Sequence, residues 1–255
     1  MFKNVTVLAL SCAALLLVGL QSAAAATPGT VVCSGKFSGT AENLVVPAGP
    51  NCRLQGATIT HDVIVQENGS LNAESTTIGH DLIATKPSVV VTGIANDVPG
   101  PVSVGHDVIV TGGLTDQFGN HSCCIDFNST SVGHDLRLTD LLVDFEIGAG
   151  LGPDPTLEGN SIGHDLVVSG NTTGICCGFG PILVGGNSVG RNVVVTDNTT
   201  TGGYFGFISV FENQVGHNAI CRRDAPAVTR NTPGQLDFLG RSVGPNQVKH
   251  KDSCG

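Results

Sequence analysis

Six histidines in this chain sit beside an acid or an amide in closely similar settings: His61-Asp62, His80-Asp81, His106-Asp107, His134-Asp135, His164-Asp165 and His217-Asn218. An imidazole next to a carboxylate can ligate a divalent cation or respond to acid near neutral pH. Four of the pairs have Gly before and Leu or Val after. His80, Asp81, His106, Asp107, His134, Asp135, His164 and Asp165 are therefore the candidate metal ligands, for zinc or nickel rather than calcium, because the Gly-rich calcium nonapeptide of other β-solenoids is missing.

The pairs belong to a repeat. Ile78-Gly79-His80-Asp81-Leu82 returns as Val104 to Val108, Val132 to Leu136 and Ile162 to Leu166. Looser copies stand at Ile59 to Val63, Val189 to Val193, Val215 to Ala219 and Val243 to Gln247. Between His61, His80, His106, His134, His164, Arg191, His217 and Pro245 the spacings are 19, 26, 28, 30, 27, 26 and 28. Periods in this range mark stacked repeats, and units this short cannot hold a four-stranded propeller blade. Val, Ile and Thr dominate each unit while Gly, Asn and Pro punctuate it, which selects strands. The fold expected is all-β: a right-handed parallel β-helix of about eight coils, the hand being that of parallel crossovers in general.

Stacking gives the corner a second reading with no chemistry in it. Gly at its first position is expected to supply the positive φ of a tight bend, Thr60 being the exception. Asp or Asn at its third position tolerates left-handed φ and hydrogen-bonds backbone. If charge were required, Asn192, Asn218 and Asn246 would be hard to explain. A stacked ladder of Asp and Asn side chains holding the turns accounts for all eight copies.

Each unit opens with a strand such as Val108-Ile109-Val110 or Leu166-Val167-Val168, and the extra residues of longer units follow it. The insertions Gly112 to Ser122, Gly170 to Gly180 and Asp197 to Gly203 thus share one phase and are expected along one edge. Two Cys-Cys pairs, Cys123-Cys124 and Cys176-Cys177, fall there, with vicinal and loop-to-loop bridges both open. Cys33 with Cys52, and Cys221 with Cys254, are expected to close the two ends as disulfides.

Residues 1–26 have the form of a secretory signal peptide, with Lys3, an apolar run from Val5 to Leu20 and Ala23 to Ala26 at the cleavage region. Residues 27–60 are then an N-terminal cap and 61–255 the repeats, with a C-terminal cap from about 221. Twelve basic residues against 21 acidic ones give −9, and losing Lys3 makes it 11 − 21 = −10. Such a surface disfavours nucleic acid and anionic lipid, and no later segment is apolar and long enough to span a bilayer. Eight cysteines outside the leader, an even number, point to an oxidising, extracellular setting. No cofactor is expected.

The Gly-His-Asp-Leu units, with Cys221 and Cys254 at the end, resemble a group of uncharacterised secreted bacterial repeat proteins. Their fold is similar to the right-handed β-helices of pectin lyases and bactofilins. That resemblance implies a fold and carries over no catalytic residue. Arg191 and Pro245 at the His position and the two Cys-Cys insertions depart from it.

No Asp-Asp pair, Gly-His-Gly or Arg-x-Lys of the galacturonase type occurs. The expectation is a secreted, non-catalytic structural or adhesive β-solenoid that meets an extracellular polymer or cell-surface component along its insertion edge. Two alternatives stand beside it. One is a polysaccharide-active lyase or hydrolase using an edge acid such as Asp116, Asp126 or Asp197. The other is a module binding metal, carbohydrate or ice. Against sugar platforms, there is no Trp and Tyr204 is the sole Tyr, while Phe179, Phe205, Phe207 and Phe211 are expected to pack inside. A single recurring Thr (Thr85, Thr111, Thr139, Thr196) falls short of a double-ranked ice face. Asn128, Asn171 and Asn198 begin glycosylation sequons.

Overall fold

A computed structural model of the chain describes residues 29–95, 98–112, 124–142, 145–148, 159–173, 181–200, 207–226, 235–236 and 242–254. Within them the backbone winds as a parallel β-helix with three long sheets of nine, eight and nine strands. Each coil but the last contributes one strand to each sheet. The first sheet includes Val63–Val65, Leu82–Thr85, Val108–Thr111, Leu136–Thr139, Leu166–Ser169 and Val193–Thr196. The second includes Ser70–Glu74, Val89–Thr92 and Cys124–Phe127. The third holds the short strands before each corner, such as Thr77–Ile78 and Ser161–Ile162.

The alternation in the sequence becomes in-versus-out along each strand. Leu82, Val108, Leu136, Leu166 and Val193 stand above one another facing in, all fully buried, and Ala84, Val110, Leu138, Val168 and Val195 form the column beside them. Ile59, Ile78, Val104, Val132, Ile162, Val189 and Val215 line the core from the third sheet. Each such side chain removed from water contributes about 1.5–3 kcal/mol. Because its neighbours are the same position one coil away, the core is continuous from end to end.

Left-handed residues turn the chain out of two of the sheets. Lys86, Gly112, Asp140, Gly170, Asp197 and Arg223 do so after first-sheet strands, and Gly56, Ser75, Gly93, Ser129, Gly148, Gly186 and Glu212 after second-sheet strands. The corner glycines Gly79, Gly105, Gly133, Gly163, Gly190 and Gly216 are absent from the positive-φ positions, contrary to the role expected for them. What requires Gly there is the coil below: a Cβ on Gly133 would lie 2.0 Å from the carbonyl oxygen of Gly105, and the other five meet the same obstacle at 1.9–2.2 Å.

Two boundaries differ from the sequence reading. Coiling begins at Thr30–Val32, which pairs with Asn43–Val46, so residues 30–60 are already coils and Glu42-Asn43 forms an extra, one-residue-shorter corner. At the far end the third-sheet strand above Gln214–Val215 is Gln247–Val248, not Ser242–Val243. The last corner is therefore Lys249-His250-Lys251, and Pro245 is no corner residue. The N–H of His250 bonds the carbonyl of His217, as the N–H of His217 bonds that of Arg191. Gly244 and Asn246 imitate the motif by composition while hydrogen bonding sets the register.

Disulfides join Cys33 to Cys52 and Cys221 to Cys254 at opposite ends, as expected. Cys123, Cys176 and Cys177 lie outside the described residues, as do Phe179 and Phe205. Phe211 and Leu183 are buried in a small cluster with Phe207 outside the main core.

Gly133→Ala is expected to cost at least about 1–3 kcal/mol in urea denaturation, since the opposing atom is backbone and cannot swing aside. Gly35→Ala, where nothing lies within 4 Å of the added carbon, is expected to be near neutral.

Candidate functional site

Each corner carries its His and Asx on the outside, between a third-sheet strand whose last residue is buried and a first-sheet strand whose first residue is buried. Those two anchors fix the three intervening residues. From Asn43 to Asn192, the Oδ1 of each corner Asx accepts the N–H of the Asx one coil above: Asn43 from Asp62 at 3.3 Å, Asp62 from Asp81 at 3.1 Å and Asp81 from Asp107 at 2.9 Å. The run continues through Asp107 to Asp135 at 2.9 Å, Asp135 to Asp165 at 3.0 Å, Asp165 to Asn192 at 3.1 Å and Asn192 to Asn218 at 3.3 Å. Asn serves as well as Asp because the acceptor needed is one oxygen. The carboxylates that suggested chemistry bind their own backbone.

The imidazoles are pinned by the same oxygens. Nδ1 of His80, His106 and His134 lies 3.0 Å from Oδ1 of Asp62, Asp81 and Asp107, the acid one coil below in each case. Oδ2 of the histidine's own Asp stands at 3.1, 3.3 and 3.6 Å. A neutral ring in this setting donates from Nδ1 and leaves Nε2 as the free lone pair. His80 and His106 stack with centroids 5.1 Å apart at 9°, and His106 and His134 at 5.0 Å and 8°. The expected column of His80, His106, His134 and His164 is thus present.

Its last step is irregular. His134 and His164 are 4.0 Å apart and tilted by 49°. Arg137 occupies an outward position held by Ile83, Ile109 and Val167 in other coils, and its Nη2 lies 2.6 Å from Oδ2 of Asp135. Burial pushes the Asp135 pKa up, but Arg137 and the N–H of Asp165 more than offset it, leaving the carboxyl below its ordinary range. Asp165, the eighth residue proposed as a ligand, is turned to the next coil, where Asn192 donates both its N–H and its Nδ2 to Oδ1.

Among the described residues, three His/Asp/His groups bring possible ligand atoms within 4.8 Å of one another: His80-Asp81-His106, His106-Asp107-His134 and His134-Asp135-His164. The acids proposed as catalytic do not converge. Asp126 sits in a second-sheet strand rather than a loop, and Asp197 in a turn beyond the first sheet, paired with Arg223. Asp116 is outside the described residues. Desolvation pushes the Asp126 pKa up to about 7, against an opposing hydrogen bond from Asn128.

Sequence reasoning missed two buried ladders built on the same principle. Asn160, Asn187, Asn213 and Asn246 form one; within it Nδ2 of Asn187 donates both to Oδ1 of Asn213 at 2.9 Å and to the carbonyl of Ile147. Asn171, Asn198 and Asp224 form the other. Their signal was recurrence of Asn at the coil period, present in the sequence but outside the corner motif. Asn128, Asn171 and Asn198 are almost wholly buried, so these sequons present no side-chain amide for glycosylation in the folded chain.

The hydroxyls form two separate columns. Thr85, Thr111, Thr139, Ser169 and Thr196 run along the first sheet; Thr40, Thr58, Thr77, Ser103, Ser131, Ser161 and Ser188 run along the third. Part of the latter lines an open groove of ≈ 540 Å³ with Pro101 and Gly159. Being on different sheets, the columns do not make a double-ranked face.

Comparison with protein-family models, with curated proteins and with solved structures returned no match.

Asp107→Ala is expected to destabilise by roughly 2–3 kcal/mol, because the Asp135 N–H and the His134 ring both lose their acceptor, whereas Asp107→Asn should retain most of the stability. Urea denaturation of both variants checks this. At the end of the second buried ladder, desolvation pushes the Asp224 pKa up, and Oδ2 of Asp224 has no partner. Stability associated with its protonated form is present at acid pH and lost as pH rises through its raised folded pKa. Asp224→Asn adds the Nδ2 donor that Asn171 and Asn198 use, so its melting temperature should exceed the parent's at pH 8, with the gain shrinking at pH 4.

Proposed function

We propose that this chain is an extracellular structural or adhesive β-solenoid whose working surface is the edge carrying its insertions. The single observation behind this reading is the corner ladder. Seven consecutive coil-to-coil steps commit an Asx oxygen to backbone N–H, so the most conspicuous residues of the repeat maintain coil stacking. Two disulfides at opposite ends suit an oxidising compartment, and no helix among the described residues is long and apolar enough to cross a membrane.

Residues 113–123, 174–180 and 201–206 all fall between a first-sheet strand and the next second-sheet strand. The residues just before two of them run in parallel, since Thr172–Thr173 pairs in register with Thr199–Thr200. A repeated departure on one side is what a contact edge requires, and an extracellular polymer or a cell-surface component is the partner it suits.

One observation favours a second reading, a polysaccharide lyase or hydrolase. Asp126, with its pKa raised to about 7, stands in register with Glu146 one coil above.

Purified protein should bind cells or extracellular polymers without turnover on a panel of acidic and neutral polysaccharides. Binding should survive Asp126→Asn and Asp197→Asn and fail when residues 113–123 and 174–180 are replaced by short Gly-Ser turns. Turnover lost in Asp126→Asn would instead establish the enzyme. On the structural reading Asp126 is a strain on the fold: the raised pKa means stability is full below about pH 4 and falls through pH 7 by up to a few kcal/mol. Asp126→Asn should therefore flatten the decline in stability between pH 5 and pH 8.

A further inference from the structure

We propose that His134 and His164, with Asp135 between them, form a binding site for a borderline divalent cation of the Zn²⁺ type. The irregular top of the histidine column separates this pair from the rest. A tetrahedral ion with metal–nitrogen bonds of about 2.0–2.1 Å needs its two nitrogens roughly 3.3–3.4 Å apart. The rings of His106 over His80 and of His134 over His106 stack nearly parallel, with centroids 5.1 and 5.0 Å apart. The rings of His134 and His164 approach more closely, with centroids 4.0 Å apart, and tilt by 49°, and with Asp135 they bring one possible ligand atom each within 4.8 Å of one another.

The second feature is how His134 is held. Its Nδ1 lies 3.0 Å from Oδ1 of Asp107, which fixes the ring and directs the lone pair of Nε2 outward on a side chain that is 38 % exposed. Ligating histidines characteristically donate their other ring N–H to a carboxylate in this way, and the acceptor raises ligand basicity. Two imidazoles and a carboxylate suit zinc, copper or nickel better than calcium or magnesium, which prefer oxygen alone.

Arg137 is the positioning residue. By taking Oδ2 of Asp135 at 2.6 Å it occupies the acid beneath His164, at the step of the His80 to His164 column where the rings tilt; His217 and His250 tilt similarly, at 4.2 Å and 46°, but with Asn218 where Asp135 stands. Its charge does not repel the ion strongly, because Asp135 neutralises it at contact and Asp107 and Asp165 lie close enough to act on the guanidinium. With two nitrogens, one carboxylate and open remaining positions, the site should hold an ion at micromolar concentration and leave room for a ligand from outside.

The test is calorimetric titration of Zn²⁺ into the untagged, iodoacetamide-treated chain, which removes free thiols as competitors. One equivalent is expected. His134→Asn and His164→Asn should abolish micromolar binding, Arg137→Val should weaken it roughly tenfold, the scale of an outer-shell change, and His80→Asn should leave it unaltered. Circular dichroism confirms folding of each variant. In parallel, Zn²⁺ should protect His134 and His164 of the parent chain from diethylpyrocarbonate, read by peptide mapping, so the result does not rest on variants alone. Absence of binding at millimolar Zn²⁺, or binding that persists unchanged in folded His134→Asn and His164→Asn, overturns the proposal.

Discussion

The structure depends on one repeated hydrogen bond, the donation of a corner N–H to the side-chain oxygen of the Asp or Asn one coil below. Backbone bonds fix the distance between coils along the strands and at the first two residues of each corner, but the N–H of the third corner residue would be left to water. Placing an acceptor on the side chain lets the coil-to-coil ladder run through the bend without interruption. The corner glycine follows from the same constraint, since the carbonyl of the coil below stands where its Cβ would be. Two buried asparagine ladders repeat the solution at the other turns, where Nδ2 adds a bond to a backbone carbonyl.

This constraint explains which parts of the molecule could be read in advance. The period of Gly-His-Asp gave the phase of each coil, and with it the in-register column of histidines and the stacked core residues Leu82, Val108, Leu136 and Leu166. Cys33, Cys52, Cys221 and Cys254 were legible because residues near the ends of a stack have few partners to choose from. The reading failed where composition imitates the motif without occupying its register. Gly244-Pro245-Asn246 looks like a corner, yet Asn246 belongs to a buried ladder and the corner lies at Lys249-His250-Lys251. Glu42-Asn43 was overlooked for the opposite reason, as a true corner lacking both Gly and His.

The site was legible in its members and illegible in its geometry. Sequence placed His134 and His164 in one column but could not show that Arg137, three residues after His134 and in an outward position otherwise held by Val or Ile, occupies the carboxylate below His164. Acids chosen for their place in apparent loops fared worst, because loop membership was inferred from unit length: Asp126 turned out to be in a strand. The asparagines that begin sequons proved to be buried, because a three-residue pattern carries no information about burial.

The central claim is that corner Asp and Asn residues are there to accept backbone hydrogen bonds between coils. Amide hydrogen exchange tests it directly, because these N–H groups lie beside half-exposed histidines and, without the ladder, would exchange like surface turns. The account predicts protection at the N–H of Asp81, Asp107, Asp135 and Asp165 comparable to that of Val108 and Leu136 in the adjoining strands. Rapid exchange at those four positions, in a chain whose strand amides are protected, would contradict it.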